Sequence, residues 1–338
     1  MNILFCSYVF PPSIGGIETV SRILAEQFCR MGETVTVVTH TPGEESDGEY
    51  KVVRRPSLKK LRQLADGSDI VFQSNISLKT LLPLLFAHKP IVIVHHGLLT
   101  RVTGRRGLRD YLKRSLLSRC INIAVSHMVA ADLPVKSIVI ENPFEPGEFT
   151  DPEDAMRDKD IVFLGRLVSS KGCDLALRAL AILKQEGLNP SFTVIGDGPE
   201  MPALKQLTAE LGLTDQVDFQ GTIREGRGKI VARHRIMVVP SIWEEPFGVV
   251  ALEGIAAGCA VIATRGGGLP DAVGPCGILV PNGDVKALAS ALKNVITDSS
   301  LREKLTAGRK HHLEHFQPEV VAKRYLEVFE STQTQIGA

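Results

Sequence analysis

No cysteine pair in this 338-residue chain has C-x-x-C spacing; the six cysteines stand at 6, 29, 120, 173, 259 and 276, and none clusters with histidine. Zinc-site and redox-motif readings fall away, and the cysteines read as small buried apolar residues of a reducing compartment. No apolar run approaches the roughly 18 residues of a membrane span. The expectation is therefore a cytoplasmic protein, or one held peripherally on the inner face of a membrane. No Lys or Arg precedes the apolar N-terminal run, and Pro11-Pro12 ends it, which marks a first buried strand and not a signal peptide. Strong charge of one sign is missing as well. The net charge is +1, with 18 Lys and Arg against 14 Asp and Glu in residues 1–150 and 21 against 24 in the remainder. A nucleic-acid binder would show a strongly basic domain. No complete G-x-G-x-x-G is present either: in Gly196-Asp197-Gly198-Pro199-Glu200-Met201 the third glycine is replaced by methionine. That argues against an NAD-dependent oxidoreductase.

What is present first is rhythm. Short apolar runs alternate with helix-period segments at Ile3 to Ser7, Val35 to Thr39, Ile70 to Gln73, Ile91 to His95 and Ile121 to Val125. After an irregular acidic stretch from Glu141 to Lys159 the rhythm restarts at Ile161 to Gly165, Ser191 to Gly196, Val217 to Gly221, Ile236 to Pro240, Val261 to Thr264 and Ile278 to Val280. Continuous apolar strands separated by helices indicate parallel sheets covered on both faces. The length exceeds one ordinary core. The expected fold class is α/β, with two Rossmann-like doubly wound domains over residues 1–150 and 151–315 and a helical segment over 316–338.

Residues 239–273 join two carboxylates, a glycine-opened helix and a second glycine loop around a buried strand. We expect a loop over Pro240 to Pro246 and a helix over Phe247 to Ala257, closed by Gly258. The free N–H groups of Gly248, Val249 and Val250 and the positive end of the helix dipole favour a phosphate. Glu245 and Glu253 are eight residues apart, about 10 to 12 Å at a rise of ~1.5 Å per residue, a span on which a nucleotide sugar carries hydroxyls. A loop glutamate and a helix-surface glutamate, both simply solvated, are the plain alternative. In FLGRLVSSKG, Gly165 and Arg166 follow a strand and Lys171 opens the next helix, so both cations converge on one loop mouth and suit a diphosphate.

These strings resemble the donor half of a retaining GT-B glycosyltransferase, specifically glycosyltransferase family 4 (glycosyl transferases group 1). The resemblance rests on Pro240-Ser241, Glu245 to Gly248, Glu253, Gly258, Val261 to Ala263, Gly266 to Gly268 and the Gly165-Arg166-Leu167…Lys171-Gly172 string. It implies two domains facing each other across a cleft, the first taking the acceptor and the second the nucleotide-sugar donor, with the last helix crossing back to the first. It also implies that Glu253 holds the donor ribose, Glu245 the transferred sugar, and Arg166 and Lys171 the diphosphate beside Gly165. Phe247 falls within the matched Glu245 to Gly248 string, and Gly196 lines the pocket beneath the nucleotide. The backbone near Ile223, after Gly221, meets the base, and Arg224 and Arg227 read as solvated loop charge. Asp271 departs from the family, which has Glu after its glycine loop.

In the first domain, Pro11-Pro12-Ser13-Ile14-Gly15-Gly16 forms a strand-to-helix turn. Gly15 and Gly16, lacking side chains, let a backbone approach a ligand closely; an ordinary tight turn is the alternative. The resemblance points this loop at the transferred sugar and phosphates, with Glu18 compensating the helix dipole. His95 and His96 end a strand, and the resemblance favours His96, before Gly97, as the residue facing the sugar. From Arg101 to Arg119 there are seven Lys or Arg with Asp110 as the one acid, interspersed with leucines. Peripheral contact with an anionic membrane is one reading, shared with the basic run Arg54 to Arg62; a charged helix face packed through its leucines is the other.

The reaction these features imply is transfer of a hexosyl unit from a nucleoside diphosphate sugar, UDP- or GDP-linked, to a glycan, glycolipid or small-molecule hydroxyl acceptor. The resemblance sets it in bacterial cell-surface glycan synthesis, with retention at the anomeric carbon. No cofactor is called for beyond the nucleotide sugar as co-substrate, and no metal: His and Asp form no cluster at ligand spacing. A GT-B epimerase or phosphorylase, or a catalytically silent nucleotide-sugar-binding subunit, remains open.

Overall fold

The computed structural model describes residues 1–85, 87–99, 108–151 and 156–336. Its internal contacts divide the chain into two units, Met1–Pro143 with Phe316–Ala338, and Phe144–His315. Residues 144–150, placed by sequence in the first domain, thus count with the second.

The first unit is built on β1 (Asn2–Ser7), β2 (Thr34–Thr39), β3 (Ser46–Asp47), β4 (Lys51–Arg54), β5 (Ile70–Ser74), β6 (Ile91–His95), β7 (Ile121–Ala124) and β8 (Ile138–Val139). They lie in the order β3-β4-β2-β1-β5-β6-β7-β8, parallel except for β3 against β4. β-Branched runs such as Ile70-Val71 and Ile91-Val92-Ile93-Val94 are buried throughout, as a sheet covered on both faces requires. The sequence did not show β4, whose two buried valines sit between Lys51 and Arg54, or the two-residue β8.

The helix Pro318–Ile336 packs on the helix Gly16–Arg30. Tyr325 and Phe329 meet Phe28 and Phe72 with ring centroids 5.2 to 6.4 Å apart. Each fully buried ring contributes about 2 to 3 kcal/mol of burial. Arg324 donates to Glu141 Oε2 at 2.6 Å and to the Val139 carbonyl at 2.8 Å, tying the same helix to the end of β8.

Of the basic stretch, residues 101–107 lie outside the described residues. The helix Leu108–Leu117 buries Leu116, Leu117 and Asp110 and leaves Tyr111 and Leu112 exposed. Arg54 and Arg55 are not free surface cations. Arg54 donates to the carbonyls of Glu44, Thr41 and Pro11, and Arg55 to that of His40. Among the described residues no helix is long and apolar enough to cross a membrane.

The second unit carries β9 (Lys159–Leu164), β10 (Phe192–Ile195), β11 (Val217–Gly221), β12 (His234–Val239), β13 (Ala260–Thr264) and β14 (Gly277–Val280), all parallel, in the order β11-β10-β9-β12-β13-β14. Leu177, Leu180 and Leu183 of the helix Cys173–Gln185 and Leu288 and Leu292 of Val285–Thr297 pack against Ile236, Val238 and Ile262 in one core. The helix Val249–Ala256 lies close on β12, since a Cβ at Gly254 would stand 2.6 Å from Met237 Sδ. A D-x-D string that the metal-free reading passed over, Asp158-Lys159-Asp160, spans the start of β9. Its carboxylates are engaged by Arg233 and, at 2.5 Å, by Arg235. Successive strands diverge in opposite directions from β1/β5 and from β9/β12, and ligands of such sheets bind beyond the strand ends at that switch point.

The Tyr325 hydroxyl is buried without a hydrogen-bond partner among the described residues, and burial pushes its pKa up. An unpaired buried hydroxyl opposes folding. Tyr325→Phe is expected to raise the unfolding free energy by about 1 kcal/mol in urea titration; an equal loss would show that the hydroxyl has a partner.

Candidate functional site

The loops that leave β9, β12, β13 and β14 are knitted together at the second unit's switch point. After β9 a short turn, Ser169–Lys171, ends at Gly172 with φ 67, where a Cβ would lie 2.0 Å from the Pro240 carbonyl oxygen. The backbone N–H groups of Ile242 and Trp243 donate to the Ser170 carbonyl at 2.9 and 3.3 Å. Asn282 Nδ2 donates to the Ile242 carbonyl at 2.6 Å, and Thr264 Oγ1 to that of Ser241 at 2.7 Å. The Gly268 N–H donates to the Glu245 carbonyl at 2.7 Å, and Gly267, with φ 63, lies so close that a Cβ would stand 2.0 Å from that oxygen.

This framework sets Glu245 in place. Its residue is 8% exposed, and its carboxylate accepts from Ser241 Oγ at 2.7 Å and from Lys171 Nζ at 2.5 Å. The residues that sequence reasoning assigned separately to sugar and diphosphate are therefore ion-paired to each other. Glu245 also lies in the loop and not on the helix, so the helical rise used for its distance to Glu253 does not apply to it.

The helix begins at Val249, two residues later than expected, on Gly248 with φ 99 and no side-chain cap. A Cβ at Gly248 would stand 2.5 Å from Leu269 Cδ2. Phe247 is 1% exposed and belongs to the core, so its side chain is not available to a donor. The N–H groups of Gly248, Val249 and Val250 have no hydrogen-bond partner among the described residues, and helix-dipole charge favours an anion there.

Glu253, one turn further, is half-buried. Burial pushes its pKa up to about 7, the charges of Glu145 and Glu148 add to the rise, and Arg227 opposes them. Arg227 is not solvated loop charge, as the sequence suggested. It stands 3.8 Å from Glu145, 3.6 Å from Glu148 through its Nε, and 5.3 Å from the centroid of the Phe149 ring, with no hydrogen bond to that Nε among the described residues. Ile223 is half-buried and Arg224 exposed. Arg166 is exposed, with no side-chain partner among the described residues. Gly196, with φ 138, serves the close approach of two strand ends, for a Cβ there would lie 1.8 Å from the Gly165 carbonyl oxygen.

In the first unit, a Cβ on Gly15 would meet Glu18 Oε2 at 2.5 Å, and Glu18 accepts from Ser13 Oγ at 3.0 Å. The missing side chain at Gly15 thus makes room for Glu18, while Gly16 borders open space. His95 is tied down by a 3.0 Å bond between Nε2 and Asn122 Oδ1, and Asn122 donates in turn to the carbonyls of Leu117 and Cys120. His96 differs. Its backbone N–H donates to Asn75 Oδ1 at 2.8 Å, but neither ring nitrogen has a hydrogen-bond partner among the described residues. Burial and then His95 push its pKa down to about 4, with Asn142 acting the other way. Gln73 Oε1, Ser74 Oγ and Asn142 Oδ1 of the same unit are buried with no hydrogen-bond partner among the described residues. Sequence reasoning gave no site role to Asn142 or to Ser241, although Pro240-Ser241 stood in the matched string, and read Arg227 as solvated loop charge.

A model of glycosyl transferases group 1 matches residues 148–312, and one of glycosyltransferase family 4 matches residues 14–136. The lipopolysaccharide core biosynthesis glycosyltransferase LpsD of Rhizobium meliloti is 35% identical over 179 residues, 50% of this chain and 49% of that protein. The chain thus spans about half the length of that relative. The GDP-mannose-dependent alpha-(1-6)-phosphatidylinositol monomannoside mannosyltransferase of Mycolicibacterium smegmatis is 26% identical over 91% of this chain and 93% of that protein. Anabaena HepE, solved in complex with UDP, matches with a TM-score of 0.82 at 20% identity, covering 98% of this chain and 100% of that one. The likeness shows a GT-B fold of two Rossmann-like domains.

Removing one partner of the Lys171–Glu245 pair strands a nearly buried charge. Lys171→Met is expected to cost about 2 kcal/mol, and adding Glu245→Leu to recover most of it, in a double-mutant cycle read by denaturant unfolding. Glu253 has its folded pKa raised from 4.5 to about 7, so between those values the folded state binds more protons than the unfolded. Stability therefore falls as pH rises through that window, and Glu253→Gln is expected to lose this slope in unfolding midpoints compared at pH 5 and pH 8.

Proposed function

This chain belongs to the glycosyl transferases group 1, and from that premise we propose that it moves a hexosyl unit from a UDP- or GDP-linked sugar to a hydroxyl acceptor with retention, without a metal. The observation that carries the reading is the Ser241–Glu245–Lys171 seat beside the uncapped helix end at Gly248. A diphosphate placed at the N–H groups of Gly248, Val249 and Val250 meets the helix dipole, Lys171 and the unpaired Arg166 guanidinium. These groups stabilise the charge that develops as the glycosidic bond breaks. Glu253, with no hydrogen-bond partner of its own among the described residues, is free to accept both hydroxyls of the ribose. Glu245, already held by Lys171 and Ser241, positions the transferred sugar and is poorly suited to attack it, which supports a same-face reaction over a double displacement.

His96 is neutral at physiological pH and offers a hydrogen bond to a sugar hydroxyl without bringing charge. The relatives' roles in lipopolysaccharide core and phosphatidylinositol mannoside glycosylation support an acceptor in cell-envelope glycan or glycolipid synthesis.

Calorimetric titration of metal-free protein with UDP-, GDP- and ADP-sugars tests the donor site. One nucleotide class is expected to bind in the micromolar range, with Glu253→Ala and Lys171→Ala each weakening it about tenfold or more. Affinity is expected to rise with pH through about 7 as Glu253 ionises, and Glu253→Gln to abolish that rise. Absence of binding by every nucleotide sugar would sink the transferase reading.

A further inference from the structure

Beside the seat of Glu245, the second unit leaves two large apolar side chains in solvent: Ile242 is 44% and Trp243 39% exposed. The exposure does not come from a loose loop. Both backbone N–H groups are bonded to Ser170, the Ile242 carbonyl accepts from Asn282, and the segment is anchored on either side by buried Ser241 and Glu245. The indole N–H makes no hydrogen bond among the described residues. A rigid backbone therefore presents an aromatic face and an unused donor at the lip of the site, next to the exposed carboxylate of Glu244.

That combination fits one class of molecule. A pyranose or cyclitol ring has an axial C–H face that lies on an aromatic surface and an equatorial rim of hydroxyls that seeks donors and carboxylates. Resting on the transferase reading, in which nearly buried Glu245 takes the transferred sugar, the exposed outer lip is left for the molecule that arrives second. We propose that Trp243, backed by Ile242, is the stacking platform for the acceptor, and that the acceptor hydroxyl is therefore carried on a hexose or cyclitol ring and not on an acyclic alcohol or a peptide side chain.

Trp243 is the single tryptophan of the chain, so its emission reports this site alone. With UDP or GDP bound, whichever calorimetry selects, the protein is titrated with methyl glucoside, methyl mannoside, methyl galactoside and myo-inositol, and with glycerol and a serine amide as acyclic controls. At least one ring compound is expected to quench or shift the emission saturably, and the acyclic compounds to leave it unchanged. In transfer assays with the responding ring compound, Trp243→Leu is expected to raise acceptor KM about tenfold while donor KM and kcat stay within about twofold; Trp243→Phe recovers most of the loss. Emission indifferent to every ring compound, or a Trp243→Leu effect on donor KM or kcat with acceptor KM unmoved, overturns the proposal. Nucleotide binding with a silent indole overturns this inference alone, whereas failure of all nucleotide sugars to bind overturns the transferase reading on which it rests.

Discussion

The salt bridge from Lys171 to Glu245 is the interaction on which the second unit's site depends. A carboxylate this far out of water is costly unless it is paired and hydrogen-bonded, and here it has both a cation and the Ser241 hydroxyl. The pair joins the loops after β9 and β12, and the backbone bonds from Ile242, Trp243 and Gly268 keep those loops in register around it. The glycines follow from this closeness. At 172 and 267 the neighbouring carbonyl oxygen occupies the space of a Cβ and φ is positive, so any other residue would push the loops apart and lengthen the bridge. The result is a site whose charged groups are held in place by one another and by the backbone around them, the kind of preorganisation on which electrostatic stabilisation depends.

Two glutamates eight residues apart in one motif end up with different chemistry because their surroundings differ. Glu245 is compensated. Glu253 is half-buried with Arg227 nearby, but Glu145 and Glu148 draw on the same guanidinium, and its proton is held to about pH 7. The first acid is thereby fixed in place by a cation and a hydroxyl, and the second is left with unused acceptor capacity and a charge that burial opposes. In the proposed reading, where Glu253 receives the ribose diol, the lack of a competing partner among the described residues is an advantage.

Much of this was legible in the sequence because both sheets are parallel. Strands buried on two faces leave continuous apolar runs, and glycine and proline punctuate the turns between them, so most of the strands and the Glu245 to Gly248 helix entry could be placed within a residue or two. β4 was not legible, since Val52 and Val53 alone between two cations make too short a signal. Arg54 and Arg227 read as solvated charge because their partners, the carbonyls of Pro11, Thr41 and Glu44 and the acids Glu145 and Glu148, come together only through the fold. The choice between His95 and His96 turned on Asn122, 27 residues further along the chain, which occupies one imidazole and leaves the other unpaired. Spacing carries no information about such long-range pairing.

The state of His96 also bears on where the acceptor's proton goes in the proposed reaction. A base is effective when its pKa lies near the working pH, and an imidazole pushed down to about 4 by burial and by His95 has little affinity for a proton at neutrality. Protonating it would place a charge where burial disfavours one, with only Asn142 acting the other way. In the proposed reaction His96 is therefore suited to orienting a hydroxyl and not to deprotonating it. Glu245 is committed to Lys171 and Ser241, which leaves the departing diphosphate oxygen as the group whose basicity grows when the acceptor needs it. The cations and helix end that stabilise that oxygen also moderate its basicity. On this account the Lys171–Glu245 pair has a second effect: a lysine shared with a carboxylate neutralises the diphosphate less completely than a free one, and so leaves the leaving group basic enough to take the proton.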